Sequence, residues 1–329
     1  MSELHKFLFE GLPVRGMIVR LTDAWTEVLR RRAGNSETGA YPQPVSELLG
    51  EMAAAAVLMQ SNIKFNGALV LQVFGDGPVK LAVAEVQSDL SLRATASVTG
   101  EVPPQAGLAD MVNTGGSGRC AITLDPQDRL PGQQPYQGVV PLHGDHGEKL
   151  GRLSEVLQHY MLQSEQLDTT LVLAANDQVA AGLLIQRMPV KGEANLEGAQ
   201  GNGDEERIGQ SEDYNRIATL AASLTRDELL TLDVDTILRR LFWEETLLRF
   251  VPHQQGESGP RFACSCSRTR VGGMLRSLGQ DEVQSILAER GSIEVGCEYC
   301  GQQYHFDAVD ATQLFTAPGQ QPPVSSSVQ

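Results

Sequence analysis

Four of the five cysteines fall into two close pairs, Cys264-Ser265-Cys266 and Cys297-Glu298-Tyr299-Cys300, with residues 267–296 between them. Thiolates are soft ligands, and two such pairs, each on its own turn, can bring four sulfurs around one Zn²⁺ in a tetrahedron. The same thiols could form two structural disulfides, but the double pairing favours metal. Four thiolates close the coordination shell. No position is left for a water, and no glutamate is placed as in H-E-x-x-H, so a zinc hydrolase is excluded and no catalytic residue is expected. Gly296 and Gly301 flank the second pair, where the backbone must turn tightly.

The elements that must position these thiols are short. Val271, Met274, Leu275 and Leu278 recur at helical spacing, Asp281 and Glu282 open a second helix through Val283, Ile286 and Leu287, and Ile293 with Val295 reads as a strand. So few apolar side chains cannot sustain a core alone, and zinc is expected to staple the module.

Ahead of it, residues 16–21 read as a strand, 22–31 as a helix and 46–59 as a buried, alanine-rich helix. Strands follow at 68–74, 79–86, 90–98, 120–124 and 136–141, with links short enough to favour antiparallel pairing. Residues 148–166 form an amphipathic helix, and 169–174 with 179–187 a hairpin across Asn176-Asp177. Residues 1–190 are thus predicted to be one large α+β domain. An acidic, glycine-rich linker spans 191–213. Residues 214–254 form a helical linker region, with an apolar stripe at Ile217, Leu220, Ala221 and Leu224, a capping box from Thr225 to Glu228, and a helix over 235–250. The four-cysteine module takes 255–312, and a Pro/Gln/Ser tail over 313–329 is expected to be disordered.

The formal charge of −15 on 329 residues repels phosphate backbones and argues against nucleic acid as a partner. Glu3, His5, Lys6, Glu10 and Arg15 break up any signal peptide, and no run approaches a membrane span. A reducing cytoplasm is therefore expected, where clustered cysteines mean metal or redox chemistry. Other motifs read as structure. Gly115-Gly116-Ser117-Gly118 completes neither a phosphate loop nor a nucleophile elbow, His143-Gly144-Asp145-His146 is a turn, His305 is surplus to a full thiolate shell, and Cys120 is a core side chain.

The segments Phe262-Ala263-Cys264-Ser265-Cys266-Ser267-Arg268 and Ile293-Glu294-Val295-Gly296-Cys297-Glu298-Tyr299-Cys300 resemble the heat shock protein 33 family, bacterial redox-regulated chaperones. The resemblance extends through Pro135-Tyr136-Gln137-Gly138-Val139-Val140, Ser164-Glu165-Gln166 and Gly182-Leu183-Leu184, and so covers nearly the whole chain. It implies an ATP-independent holdase that is no enzyme. Such a protein is quiescent while reduced and holding one Zn²⁺ per chain on Cys264, Cys266, Cys297 and Cys300. Oxidation is implied to release zinc, form disulfides Cys264–Cys266 and Cys297–Cys300, unfold the linker and yield a homodimer that binds unfolding client proteins, with hand-over to ATP-dependent chaperones. The sequence departs from the family in a longer 191–213 segment and in Asp168, where proline is expected. The competing expectation is a constitutive zinc-ribbon adaptor or transcription-associated protein, which would bind DNA in a salt-dependent way while reduced.

Overall fold

Short polar links join the strands of the first half, and those strands pair antiparallel as such links require. The computed structural model describes residues 1–35, 38–128, 132–188 and 211–315. The chain runs β1 (Glu3–Phe9), β2 (Val14–Leu21), α1 (Asp23–Ala33), α2 (Gln43–Asn62), β3 (Gly67–Phe74), β4 (Val79–Gln87), β5 (Ser91–Val98), α3 (Leu108–Val112), β6 (Arg119–Pro126), β7 (Tyr136–Pro141), α4 (Leu153–Glu165), β8 (Thr169–Ala175) and β9 (Ala180–Arg187). Then come α5 (Glu212–Ala222), α6 (Arg226–Thr231), α7 (Val234–Phe242), β10 (Leu247–Arg249), β11 (Gln254–Gln255) and β12 (Arg261–Phe262). The last part holds α8 (Arg268–Leu278), α9 (Gln280–Arg290), β13 (Ile293–Gly296), β14 (Gln303–Phe306) and α10 (Ala308–Phe315). The architecture is the expected α+β. It divides into two compact units, Met1–Ala263 and the residues from Cys264 onward.

In the first unit, one sheet has the order β10-β1-β2-β9-β8, with β11 also on β1, and the other β12-β5-β4-β3-β6-β7. Helix α2 lies between them and is buried from Leu48 to Gln60 except at Glu51, which is why its apolar residues fall on all sides rather than on one stripe. Its small residues let it approach closely: a Cβ on Gly50 would stand 2.5 Å from the Ala175 Cβ. The face of the first sheet away from α2 is covered by α5, α6 and α7, whose Tyr214, Ile217, Leu229, Ile237, Leu241 and Phe242 pack with Phe7, Phe9, Ile18, Leu183 and Ile185. That sheet is therefore apolar on both faces, and β9 reads as an unbroken buried run from Ala180 to Gln186.

Several boundaries differ from the sequence reading. The helix over 235–250 stops at Phe242, and Leu247–Arg249 become a strand on β1, because the open edge of β1 offers ladder hydrogen bonds that a continued helix would forgo. Leu248, which falls within that predicted helix, is 47% exposed. Met274 and Leu278 are likewise exposed, so only the Leu275 side of α8 is buried. Helix α4 begins at Leu153 rather than 148, and β1, α3, β14 and α10 have no counterpart among the predicted elements. Residues 211–263 pack as part of the first unit, and the second begins at Cys264 rather than at 255, since Arg261 and Phe262 extend the second sheet beside Ser91 and Leu92. Of the predicted 191–213 linker, residues up to 210 lie outside the described residues, as do 316–329 of the predicted tail; 313–315 end α10.

Candidate metal centre

In the second unit the first cysteine pair precedes α8, which Ser267 caps by accepting from the Arg270 amide at 3.2 Å. Arg270 also reaches back to the Ser265 carbonyl at 2.9 Å, tying the Cys-x-Cys loop to the helix it opens. The second pair occupies the turn between β13 and β14. There the Gly301 amide donates to the Cys297 carbonyl at 2.7 Å, and Gly301 takes φ +72°, a value suited to glycine. Among the described residues of this unit the buried core is Leu275, Val283, Ile293, Phe306 and Ala311, with partly buried side chains such as Val271 and Leu287 packed against it.

These two turns bring all four sulfurs within 4.8 Å of one another. Cys264 Sγ lies 3.7 Å from Cys297 Sγ, and Cys266 Sγ lies 3.3 Å from Cys300 Sγ. A tetrahedral site with Zn–S bonds of about 2.3 Å has sulfurs about 3.8 Å apart, so the set matches one metal ion held by four thiolates. Burial is the largest cause that raises the Cys297 and Cys300 thiols. At Cys266 burial is outweighed by the Tyr304 hydroxyl, which donates to its sulfur at 3.1 Å, and by the adjoining thiols, which together hold it at about 7. Tyr304 escaped the sequence reading because β14, which brings it across from Val295, was not predicted.

The other candidates behave as structure. Cys120 is fully buried in the first unit, and burial pushes its thiol up to about 12. His305 pairs with Glu294 at 3.2 Å, apart from the thiol cluster. The Gly115–Gly118 loop is pinned by Asp76, which accepts from the Ser117 amide at 2.8 Å. Asp168 makes a largely buried ion pair with Arg187 at 3.2 Å.

One cluster was not anticipated: Glu3, His5 and His253, with the two imidazoles stacked 4.1 Å apart. Arg249 Nη2 donates to His5 Nδ1 at 2.9 Å, which leaves the proton on Nε2 to reach Glu3 at 2.8 Å. With its nitrogens so engaged, His5 acts as a bridge between β1 and the end of β10 rather than as a vacant ligand. The Glu3/His5 spacing on one face of β1 was readable, but His253 lies too far along the chain to be paired with it by pattern.

An α+β domain joined to a small four-thiol unit defines a class of proteins, and comparison places the chain within it. Residues 2–307 match the family model described as Hsp33 protein. The chain belongs to the Hsp33 family. It is 44% identical to the 33 kDa chaperonin of Chromobacterium violaceum, across 95% of this chain and 94% of the relative. It is 43% identical to that of Methylobacillus flagellatus, across 96% and 94%. Its fold is similar to the crystal structure of the 33 kDa chaperonin (heat shock protein 33 homolog) from Thermotoga maritima, with TM-score 0.69, 20% identity, and 95% and 97% of the two chains covered. Among the described residues no helix is long and apolar enough to cross a membrane.

Proposed function

We propose that the chain is a cytoplasmic, redox-regulated and ATP-independent holdase, quiescent while reduced and loaded with one Zn²⁺, and active once its thiols are oxidised. The observation that carries this reading is the convergence of four soft thiols within 4.8 Å in a chain of this family. Zinc bound there would hold the four sulfurs as thiolates and contribute the stability that five buried apolar side chains lack. Cys264, Cys266, Cys297 and Cys300 are the ligands in this reading and also the switch.

A peroxide takes two electrons from each pair. One thiolate attacks a peroxide oxygen and breaks the O–O bond to give a sulfenic acid, and the second thiol displaces its oxygen as water, so two thiols and one peroxide become one disulfide and two waters. Short loops keep the partners at high effective concentration, which favours Cys264–Cys266 and Cys297–Cys300. Sulfurs joined in this way no longer serve as thiolate ligands, and the small unit loses its staple.

Unfolding of the second unit then loosens the segment just upstream in the chain. Helices α5 to α7 depend on docking, since isolated helices of this length are marginal in water. Their departure would bare their own stripes and the outer face of the first sheet, a broad apolar surface for unfolding clients and for the homodimer of the oxidised state. Hand-over of clients to ATP-dependent chaperones follows once reducing conditions return.

The test combines two readouts on one sample. A thermally unfolding client enzyme is mixed with reduced or peroxide-treated protein while a chromophoric chelator reports released zinc. Suppression of aggregation only after treatment, in step with zinc release, is the expected result. Equal suppression by the reduced, zinc-loaded protein would overturn the reading.

A further inference from the structure

Between the two sheets, at the C-terminal end of α2, the first unit contains a cavity of about 110 Å³. Its walls are apolar: Met59, Leu69, Ile122, Leu124 and Met161. Its rim carries Arg15, Asn62 and Gln186, and also Glu165 with Tyr136 and Tyr160.

The first part of that rim has more donors than acceptors. Gln186 is fully buried, and its Oε1 receives Arg15 Nε at 3.2 Å, Arg15 Nη2 at 2.5 Å and Asn62 Nδ2 at 2.7 Å. A carbonyl oxygen has two lone pairs, so three N–H groups compete for them. One N–H of the Gln186 amide donates to Thr169 Oγ1 at 2.8 Å. Among the described residues Arg15 forms no ion pair, and burial draws its pKa below the ordinary arginine value. Lys6, lowered by burial and by the Arg15 charge, donates to the Ser61 carbonyl at 2.6 Å and so covers the negative end of α2, leaving Arg15 uncompensated. Glu165, on the same rim, makes no ion pair with Arg15 among the described residues. Its Oε1 accepts the hydroxyls of Tyr136 at 3.3 Å and Tyr160 at 2.9 Å.

We propose that this cavity binds a small apolar monocarboxylate, its two oxygens accepting from Arg15 and Asn62 and its hydrocarbon tail lying among Met59, Leu69, Ile122 and Leu124. A carboxylate matches the planar fork of a guanidinium and brings the lone pairs the rim lacks. A dry apolar cavity of about 150 Å³ holds benzene, so this one takes a tail of about four or five carbons. The site is independent of the cysteine module.

Titration of the reduced full-length chain with hexanoate, hexan-1-ol and hexylamine, followed by calorimetry and by the Tm of the first unit, tests the proposal. Hexanoate is expected to bind at one site per chain, at least tenfold more tightly than the alcohol or the amine. Arg15→Met should weaken hexanoate at least tenfold, to the level of the alcohol. Ile63→Trp, at a rim position 37% exposed and therefore tolerant of a larger side chain, should block both ligands. The ligand ranking in the unmodified chain stands even if a variant folds poorly. Absence of saturable hexanoate binding, hexylamine binding as tightly as hexanoate, or unchanged hexanoate binding in a folded Arg15→Met protein would each overturn it.

Discussion

At the scale of single residues, the five cysteines are chemically unequal. Four share one polar cluster with a tyrosine hydroxyl on one sulfur, and the fifth is sealed in the core with its thiol pushed up to about 12. A thiol reagent applied near neutral pH to metal-free protein whose first unit remains folded is expected to label the clustered cysteines and spare Cys120 until that unit unfolds, because Cys120 is fully buried and the thiolate is the reactive form. In the same terms Cys297→Ser should lower the zinc content of the reduced protein and Cys120→Ser should leave it unchanged, as metal analysis of the two variants will read. The cysteine pairs were readable in the sequence because ligand chemistry tolerates few residue types and keeps them close in the chain. Tyr304, His253 and Gln186 were not, since each acquires its meaning from a neighbour that only the tertiary fold supplies.

At the scale of elements, α7 is the piece whose docking can be weighed. Leu241 and Phe242 are each 2% exposed, and the Phe242 ring meets Phe9 edge-on at 5.0 Å. Replacing both with polar residues should cost roughly 1.5–3 kcal/mol apiece. That is enough to undock the segment. The reduced, zinc-loaded variant is then expected to suppress client aggregation, with faster hydrogen exchange across 211–250; fast exchange without suppression would break the link between undocking and client binding. A second lever is His5, which sits among Glu3, His253 and Arg249. Burial holds it below the ordinary value of 6.5, so the folded state resists a proton that the unfolded state accepts. Its contribution to stability is therefore intact above pH 6.5 and declines as pH falls below it. Denaturant midpoints measured from pH 8 to pH 5 should fall more steeply for the natural chain than for His5→Gln. Elements with strong local signals, such as the hairpin across Asn176-Asp177 and the Thr225 capping box, were readable from sequence. Strand β10 was not, because residues 243–250 continue a helical pattern and only the free edge of β1 turns part of them into a strand.

At the scale of the whole molecule, the two units differ in what holds them. The first surrounds a helix with two sheets, while the second buries five apolar side chains among its described residues and, on the proposed reading, would rely on a metal. A strong chelator added to reduced protein is accordingly expected to abolish exchange protection in 268–315 while the first unit keeps its own cooperative unfolding transition. Simultaneous loss of both would show that they do not unfold separately. The sheet between α2 and helices α5 to α7 carries a last consequence. Its outer cover belongs to the same chain, so any foreign segment seeking that face competes with a tethered rival whose effective concentration is on the order of millimolar. A client that binds the bare face with micromolar affinity gains little while the tethered helices stay seated, however abundant it is within that limit. On the proposed reading, selectivity for stress would need no recognition of particular clients, because occupancy of the face would be decided by whether its own cover had been let go.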